Sequence, residues 1–383
     1  MKFFHLSDLH IGKQLYGYHL NQDQRVILDQ VIEQAKKLRP DAIVIAGDVY
    51  DKSVPSADAV TLFDEFLTKL TEMEPAIPVL IISGNHDSAE RLEYASQILD
   101  RQQIYIAGVP PKTSEDHIRK VVLKDQYGEV NFFLLPFIKP GFVRNVLEEV
   151  PETYDEAVRK MIEREHIDTT QRNVLVSHQF YTFSGKEPDR CESELLSVGG
   201  LDNIDISAVS DFDYVALGHI HGGQRVGMEK IRYSGTLLKY SVSEQNHHKG
   251  LLVVTLNEKG EEPQLEKIEL HPLRDVREIH GELEMVLAMA DEATQDDYVS
   301  VTLTDELETY RPLDRLREVY PHILELRIDN ARTRAKLEEV EEIEQISDPA
   351  DAFVQFFEKM QNRTMTNEEQ EILTEVLEKA KEA

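Results

Sequence analysis

Short apolar segments recur along residues 1–220, and Gly, Asp, Asn or Pro bound most of them. Many of their residues are β-branched, which at this length is typical of buried strands. Amphipathic stretches separate the segments, and over 26–38 and 60–70 their apolar residues recur at helical spacing. Strands that alternate with helices predict a layered α/β architecture. The predicted strands are Phe3–Leu6, Ala42–Ala46, Val79–Ile82, Asn131–Leu135, Val174–Val176 and Tyr214–Leu217.

The pattern changes beyond residue 225. It becomes strand-like up to Leu270, and Leu251–Leu256 and Leu265–Leu270 predict a hairpin. After His271 the chain predicts a smaller unit of helix, strand, helix and strand, which is enough for a small two-layer domain. These four elements are Glu282–Met289, Tyr298–Leu303, Pro312–Val319 and Ile323–Ile328.

The C-terminal segment begins with the acidic stretch Glu338–Glu344, which predicts a solvated linker. Two amphipathic helices are predicted after it. We therefore expect a first domain over residues 1–271, an α/β domain over 272–337, and a linker with two helices over 338–383. The apolar stripe of the first helix is Phe353, Phe356, Phe357 and Met360, and that of the second is Ile372, Leu373, Val376, Leu377 and Ala380.

Side chains that bind metal ions follow five of the predicted strands, at the point where each strand ends. Ligand crevices of open α/β sheets lie at the carboxyl ends of the strands, so we expect five strands of one sheet to bring these side chains to one rim. One such motif occurs by chance in many chains, whereas five in order behind apolar segments indicate a site. The residues are Asp8, His10, Asp48, Asn85, His86, Asp87, His178, His219 and His221.

The chemistry of these donors is coherent. Carboxylate, amide and imidazole ligands without a thiolate suit Mn, Fe or Zn. One carboxylate can bridge two ions about 3.5–4 Å apart. The single cysteine, Cys191, excludes an internal disulfide and a multi-cysteine metal site.

Composition narrows the class of protein. Of the 383 residues 41% are hydrophobic, which is sufficient for a large core, and no stretch approaches the ~20 apolar residues of a membrane helix. The first residues lack the apolar core of a signal peptide, so we expect a cytoplasmic protein that binds no membrane.

The net charge of −30 is unusual for a protein that binds nucleic acid, because phosphate binding usually uses Lys and Arg. Either the substrate is small, or metal ions and a partner supply the positive field. Residues 331–383 contain 7 basic and 14 acidic side chains, a balance of −7, so this segment is not a nucleic-acid-binding arm.

The motifs Asp8-x-His10, Gly47-Asp48, Gly84-Asn85-His86-Asp87, Ser177-His178 and Gly218-His219-x-His221 resemble those of the calcineurin-like metallophosphoesterases. A finer resemblance, to the SbcD family of nuclease subunits of bacterial SbcCD complexes, spans roughly residues 1–270. It implies a layered β-sandwich flanked by helices, with a small α/β capping domain that positions DNA and with C-terminal helices. Its motifs are HLSDLHIGK, GDVYDKSVPS, ISGNHDSAERL, ALGHIHGGQ and YSGTLLKYS.

The resemblance also implies a role for each site residue. Two divalent ions, with Mn²⁺ as the expected metal, would share Asp48 as a bridge. His86 would touch the substrate phosphate and assist the leaving oxygen, and Asp87 would orient His86 as a second catalytic residue. The first ion would be held by Asp8, His10, Asp48 and His221, and the second by Asp48, Asn85, His178 and His219.

Each of three further residues has both a functional and a purely structural interpretation. Lys13 can contact a DNA backbone and Arg91 can reach a phosphate, while an ordinary surface position also explains each of them. Asp51 can bind a water molecule at the metal site or simply belong to a turn.

Three functions remain open from the sequence. The resemblance implies a DNA nuclease, a double-strand 3′-to-5′ exonuclease and single-strand or hairpin endonuclease, that works with an SbcC-type coiled-coil ATPase in DNA repair, recombination and replication. The alternatives are a phosphatase or phosphodiesterase for small molecules, and a binding subunit with a vestigial metal site.

The resemblance implies partners as well. The Phe353–Met360 stripe can pack within its own domain, and the resemblance favours contact with the ATPase. It also implies a homodimer within a heterotetramer, associated with the nucleoid when bound to DNA. The candidate dimer helices lie over 26–38 and 60–70, and such patterns are equally expected of helices that cover a sheet.

Overall fold

A computed structural model describes residues 1–194, 202–307, 309–334, 349–361 and 363–381, so the predicted linker over Glu338–Glu344 lies outside the described residues. Its strands are β1 (Lys2–Leu6), β2 (Gln14–Leu15), β3 (Tyr18–His19), β4 (Ala42–Ala46), β5 (Val79–Ile82), β6 (Ile104–Ala107), β7 (Arg119–Asp125), β8 (Gly128–Leu135), β9 (Arg172–His178), β10 (Tyr181–Thr182), β11 (Ile204–Asp205), β12 (Tyr214–Gly218), β13 (Gln224–Val226), β14 (Met228–Tyr233), β15 (Gly250–Thr255), β16 (Gln264–Glu269), β17 (Val276–Gly281), β18 (Tyr298–Leu303) and β19 (Ile323–Ile328).

The α-helices are α1 (Asn21–Leu38), α2 (Ala57–Thr71), α3 (Ala89–Leu92), α4 (Ser96–Leu99), α5 (Pro140–Val143), α6 (Tyr154–Glu163), α7 (Leu283–Ala288), α8 (Pro312–Arg317), α9 (Pro349–Gln361) and α10 (Asn367–Lys381). Local signals explain where several of them begin and end. The Ser56 hydroxyl caps α2 by accepting from the Ala59 N–H at 3.2 Å, and Arg39, in the left-handed conformation, ends α1 just before Pro40.

Two six-stranded sheets build the part of the chain that contains the predicted metal ligands. The first sheet has the order β16-β15-β1-β4-β5-β6, in which β1, β4, β5 and β6 are parallel. The second has the order β13-β14-β12-β9-β8-β7, in which β14, β12, β9 and β8 are parallel. Antiparallel strands therefore flank the parallel strands on both sides in the second sheet and on one side in the first, where parallel β6 forms the other edge.

The central strands carry apolar side chains on both of their faces. The side chains on one face of each sheet pack against the other sheet. Phe3 of β1 meets Phe132 of β8 and Tyr214 of β12, with ring centroids 5.5 and 5.7 Å apart. Val174 and the other inward residues join the same cluster. The intervening residues Phe133, Leu135, Leu175, Val215 and Leu217 instead pack with α6 on the outer face of the second sheet. The α/β sandwich predicted from the sequence is thus the observed architecture.

The apolar stripes of α1 and α2 are buried, including Ile27, Val31, Phe63 and Leu70. These buried residues therefore pack within the core of the chain itself. Strands β6 and β7 were not predicted from the sequence, because β6 has only four residues and the three apolar residues of β7, Val121–Leu123, lie between charged residues on both sides.

The described residues form two compact units, Met1–Glu278 with Glu292–Val299, and Ile279–Asp291 with Ser300–Ala383. The second unit contains α7, α8 and β19, and a third sheet has the order β17-β18-β19. Tyr320 is buried there and donates its hydroxyl to the Val286 carbonyl at 2.9 Å. None of the helices in the described ranges combines the length and the apolar character that crossing a membrane requires.

Candidate metal centre

The predicted ligands lie at the carboxyl ends of strands from both sheets. Residues after β1, β4 and β5 supply Asp8, His10, Asp48 and Asn85, while β9 and β12 supply His178, His219 and His221. We expected one sheet to carry all of these ligands, and that expectation was wrong. Two sheets carry them, and the ligands meet at a rim that the two sheets share. Apolar alternation could not assign the strands to sheets, because central strands of both are buried on both faces. Across the sheets, His178 Nδ1 donates to the Ala46 carbonyl at 2.7 Å.

Four of the ligand residues have a positive φ angle, a backbone conformation that residues other than glycine rarely adopt. The φ angles of Asp8, His10, Asp48 and His219 are 53°, 43°, 48° and 100°. Backbone hydrogen bonds hold the turns, from the Asp8 N–H to Gly47 O at 3.0 Å and from the His10 N–H to Asp48 O at 2.9 Å. Left-handed residues clustered in this way are typical of functional sites, where the surrounding structure maintains the strain.

Gly84 is the glycine whose lack of a side chain the site requires most directly. A Cβ atom built on it would overlap the carboxylate of Asp48. The strand-to-loop turn at Gly84 can therefore approach Asp48 only because the residue is glycine.

The first group of ligand atoms consists of Asp8, His10 and His221, which lie within 4.8 Å of one another. The Nε2 atoms of the two histidines are 3.2 Å apart, and His10 Nε2 is 3.7 Å from Asp48 Oδ2. All three residues are buried. Among the described residues, the buried Nδ1 of His10 makes no hydrogen bond.

The second group is centred on His178 and both aspartates, whose ligand atoms also lie within 4.8 Å of one another. His178 Nε2 is 3.3 Å from Asp48 Oδ2 and 3.1 Å from Asn85 Oδ1. His219 Nδ1 is 2.9 Å from the same Asn85 oxygen. The structure therefore brings all seven predicted ligand residues into two adjoining groups, with Asp8 and Asp48 between them.

Electrostatics favour a cation at this place. Burial raises the pKa of Asp8, whereas for Asp48 the neighbouring His178 and His10 outweigh burial and hold the pKa well below its usual range. Burial lowers the pKa of His10, and it lowers that of His219 to about 3. Burial also acts to lower the pKa of His178, but the Asp48 and Asp8 carboxylates outweigh it and raise that pKa to about 9.

The donor set fits divalent ions. Buried carboxylates, an amide oxygen and imidazoles converge without a thiolate, which is the chemistry that Mn, Fe or Zn prefers over softer metals. Two carboxylates in one dry site repel each other unless positive charge lies between them. In the metal-free protein the protonated ring of His178 supplies part of that charge, and ions would supply it without a proton.

His86 lies beside the first group, with its ring 4.9 Å from that of His10. Its N–H donates to Asp48 Oδ1 at 2.9 Å, and its ring Nδ1 donates to the carbonyl oxygen of Asp51 at 2.9 Å. Because a carbonyl only accepts, Nδ1 carries the hydrogen, and Nε2 is the ring nitrogen left for a substrate.

Asp87 was expected to orient His86, and the structure gives it another task. Its carboxylate accepts the backbone N–H groups of Val49, Tyr50 and Gly84 at 3.1, 2.9 and 2.9 Å. Asp87 thus joins the turn after β4 to the turn after β5, and the Asp51 carbonyl orients His86. The sequence motif placed Asp87 beside His86 along the chain but could not show where its side chain points.

Sequence reasoning missed residues that support the ligands from behind. Gln24 of α1 donates to the His10 carbonyl at 2.8 Å, and Ser193 lies 2.7 Å from His221 Nδ1. Glu194 accepts the His221 N–H at 2.7 Å. A polar residue on the buried face of an amphipathic helix was the available signal for Gln24, whereas Ser193 and Glu194 lie in a segment without a periodic pattern.

The two candidate DNA-contacting residues have different surroundings. Lys13 is paired with Asp51 at 2.9 Å beside the first group, and Asp51 Oδ1 also lies 3.6 Å from His10 Nδ1. Arg91 is exposed on α3. Both roles stay predictions.

Known proteins resemble the chain over most of its length. Residues 1–223 match the family model described as calcineurin-like phosphoesterase, and residues 272–361 match the model described as type 5 capsule protein repressor C-terminal domain. The SbcD subunit of the SbcCD nuclease of Staphylococcus epidermidis is 35% identical over 330 residues, which cover 85% of each chain.

Two solved structures are more distant. TT1561 of Thermus thermophilus is 14% identical over 70% of this chain and 99% of that one, with a TM-score of 0.42. GAP50 of Plasmodium is 13% identical over 71% of this chain and 89% of that one, with a TM-score of 0.41.

Replacing Gly84 with alanine tests the assembly of the site. The added Cβ displaces the Asp48 carboxylate, so we expect Gly84→Ala to weaken Mn²⁺ binding at least about tenfold in titration calorimetry. Gly141→Ala is the control, because its Cβ would meet no atom within 4 Å. A Gly84→Ala protein that binds Mn²⁺ as the wild type does would contradict the role assigned to this close approach.

Proposed function

The chain belongs to the SbcD family of calcineurin-like phosphoesterases, and from this membership we propose that it is a metal-dependent DNA nuclease with two Mn²⁺ ions. The observation that carries the proposal is the pair of adjoining ligand groups around Asp8 and Asp48, at the rim that both sheets share. A complete set of ligands, five of them buried, is not expected of a vestigial site.

In this proposal Asp8, His10, Asp48 and His221 hold the first ion, and Asp48, Asn85, His178 and His219 hold the second. Their neutral imidazoles and ionised carboxylates are the forms that ligate metals. Ions bound there would supply Lewis-acid stabilisation of the charge that develops on the phosphoryl oxygens.

His86 is the proposed catalytic residue outside the ligand set. Its Nδ1–H is held by the Asp51 carbonyl, and its backbone N–H is held by Asp48. The ring therefore has a fixed orientation at the edge of the metal centre. From that position Nε2, when protonated, donates to the phosphate and then gives its proton to the departing 3′ oxygen.

The surface beside His86 and Asn85 favours a polymer over a small phosphodiester. A cleft of about 570 Å³ includes Asn85 and continues between Lys112, Lys139, Arg144 and Phe142. Its lining also includes Asp87 and Glu90, and Glu90 pairs with Lys112 at 3.3 Å, so Lys139 and Arg144 are the cations that this pair leaves available. Phe142 is half exposed, and Lys139 and Arg144 are exposed. Cations that follow a backbone and an aromatic ring available for stacking are the means by which proteins bind nucleic-acid strands. The runner-up function, a phosphodiesterase for small molecules, makes no use of this extension.

The C-terminal helices are the proposed docking site for an SbcC-type coiled-coil ATPase. Phe353, Phe356 and Met360 of α9 are 48%, 61% and 65% exposed, while Phe357 is partly covered by the Arg363 guanidinium, which lies 4.8 Å from its ring. A helix that presents apolar side chains on one face is suited to a groove on a partner. That partner would also supply positive charge for DNA.

The wider context rests on the family membership. We propose that residues 272–337 are a capping domain that helps to position DNA, and that the complex acts in the cytoplasm in DNA repair, recombination and replication. Double-strand 3′-to-5′ exonuclease and single-strand or hairpin endonuclease activities are the expected reactions.

A homodimer within a heterotetramer is also proposed. Most apolar residues of α1 and α2 are buried within the chain. A second copy could therefore contact only the exposed residues of these helices, such as Val60. Sedimentation of the purified chain at micromolar concentration should show a dimer, and a monomer at that concentration would contradict the proposal.

Replacing His86 with alanine tests the reaction. We expect Mn²⁺-dependent cleavage of end-labelled hairpin and linear DNA to fall by a factor of about 10²–10⁴, because general acid catalysis is lost. The number of bound Mn²⁺ ions should not change. His248→Ala, at an exposed surface histidine, is the control and should cut like the wild type.

If the wild type hydrolyses bis(p-nitrophenyl) phosphate but cuts no DNA, the SbcC-type ATPase is added. DNA cleavage that then depends on His86 supports the nuclease. Continued inactivity on DNA with the ATPase present would establish the small-molecule function instead.

Replacing Phe356 with glutamate tests the docking site. A buried aromatic anchor contributes about 2 kcal/mol or more to an interface, so affinity for an SbcC-type ATPase should fall at least about 30-fold. Truncation at about residue 340 should abolish binding. Val122→Glu, at an exposed apolar position of β7, is the control. Unchanged binding by the truncated protein would refute the assignment.

A further inference from the structure

Three polar side chains form a hydrogen-bonded chain that begins at the Nδ1 edge of the His221 ring. Ser193 Oγ lies 2.7 Å from His221 Nδ1 and 2.7 Å from Glu244 Oε1. The other oxygen of Glu244 accepts from Lys249 Nζ at 2.5 Å. The opposite edge of the ring, Nε2, faces His10 in the first ligand group. The chain of hydrogen bonds therefore reaches the metal centre through His221.

The direction of each hydrogen bond follows from the groups involved. Lys249 only donates and an ionised Glu244 only accepts, so the single hydroxyl hydrogen of Ser193 points to Glu244. The Ser193 oxygen can then only accept from His221, which places a hydrogen on Nδ1. Since a neutral imidazole carries one hydrogen, Nε2 is left with its lone pair directed at the first ligand group.

Lys249 holds the same histidine a second way. Its ammonium donates to the His221 carbonyl at 3.0 Å and to Thr236 Oγ1 at 2.7 Å, in addition to Glu244. All three of its hydrogens are thus used. Both the main chain and the ring of His221 depend on one buried cation.

The burial of this ion pair points to a purpose beyond folding. Glu244 is 0% exposed and Lys249 is 9% exposed. Buried ion pairs lose about as much hydration free energy as they gain in attraction, and well-packed apolar residues commonly stabilise a core as well or better. The pair is instead suited to orienting a ligand, as carboxylates that accept the second N–H of a metal-binding histidine do.

We propose that Ser193, Glu244 and Lys249 are positioning residues that hold His221 with Nδ1 protonated and Nε2 free to bind the first ion. The inference rests on the proposed metal centre. It assigns to Glu244 and Lys249 a function in metal affinity, although both act on the metal centre through His221. Ser193 links the buried Glu244–Lys249 pair to the ring of His221, with its Oγ 2.7 Å from His221 Nδ1.

The first experiment uses Ser193→Ala in the full chain with Mn²⁺ as the probe. Calorimetry should show two ions bound by the wild type, and the variant should bind one of them about 10–100-fold more weakly, as is usual when the partner of a ligating histidine is removed. The affinity for the other ion should stay the same. Ser193→Thr, which keeps the hydroxyl, should restore binding, and Ser210→Ala, at a partly exposed serine, is the control.

The second readout needs no metal. In protein labelled with ¹⁵N-histidine, long-range ¹H–¹⁵N spectra of the metal-free wild type should show His221 protonated at Nδ1, and Ser193→Ala should give a mixture of the two tautomers. A Glu244→Leu/Lys249→Met double variant, which removes the acceptor of the Ser193 hydrogen and leaves no unpaired buried charge, should behave like Ser193→Ala.

Four outcomes decide the proposal. Selective weakening of one ion together with mixed tautomers supports it. Unchanged affinity and tautomer in Ser193→Ala would overturn it, and so would equal weakening of both ions with a lower melting temperature, which indicates a structural role. If the wild type binds no Mn²⁺, the metal centre itself is refuted, and the positioning role with it.

Discussion

The close approach of two buried carboxylates, Asp8 and Asp48, is the constraint on which the rest of the structure depends. Both lie within 4.0 Å of His178 Nε2, and both side chains are buried. Two negative charges at such a distance are unfavourable in a medium of low polarity. Backbone N–H groups offset part of this repulsion, since the N–H of His219 donates to Asp8 and that of His86 donates to Asp48, each at 2.9 Å. The remaining imbalance is what gives the site its affinity for cations.

The sandwich is the means by which the chain maintains this arrangement. Central strands with apolar residues on both faces cannot shift without exposing one layer of the core, so their carboxyl ends are fixed relative to each other. Rigid strand ends can hold Asp8, His10 and Asp48 in the left-handed conformation. Asp87 then ties two of the turns together through three backbone N–H groups. Strain at the rim is thus maintained by packing several residues away from it.

The strands and motifs are local features of the sequence, whereas the contacts that hold the turns are not. This difference explains what the sequence could predict. Apolar segments and the motifs behind them predicted a layered α/β architecture and the seven residues that meet at its rim, because both features can be recognised locally along the chain, while the sandwich was implied by the family resemblance. Sheet membership, the target of the Asp87 carboxylate and the supporting chain of Ser193, Glu244 and Lys249 depend on contacts between distant segments. Glu244, for example, reaches Ser193 across 51 residues, and a lone Glu in a loop has no pattern that distinguishes it from a solvated one.

The net charge of −30 and the proposed DNA substrate are compatible once distance is considered. At physiological ionic strength the Debye length is about 8 Å, so a phosphate responds to the charges beside it and little to the total. Residues 331–383 alone contribute −7 of that charge. Next to Asn85 a strand would meet Lys112, Lys139 and Arg144. Divalent ions between Asp8 and Asp48 would reverse the local sign as well. The charge of the whole chain is therefore compatible with a strand that meets local cations beside the reactive centre.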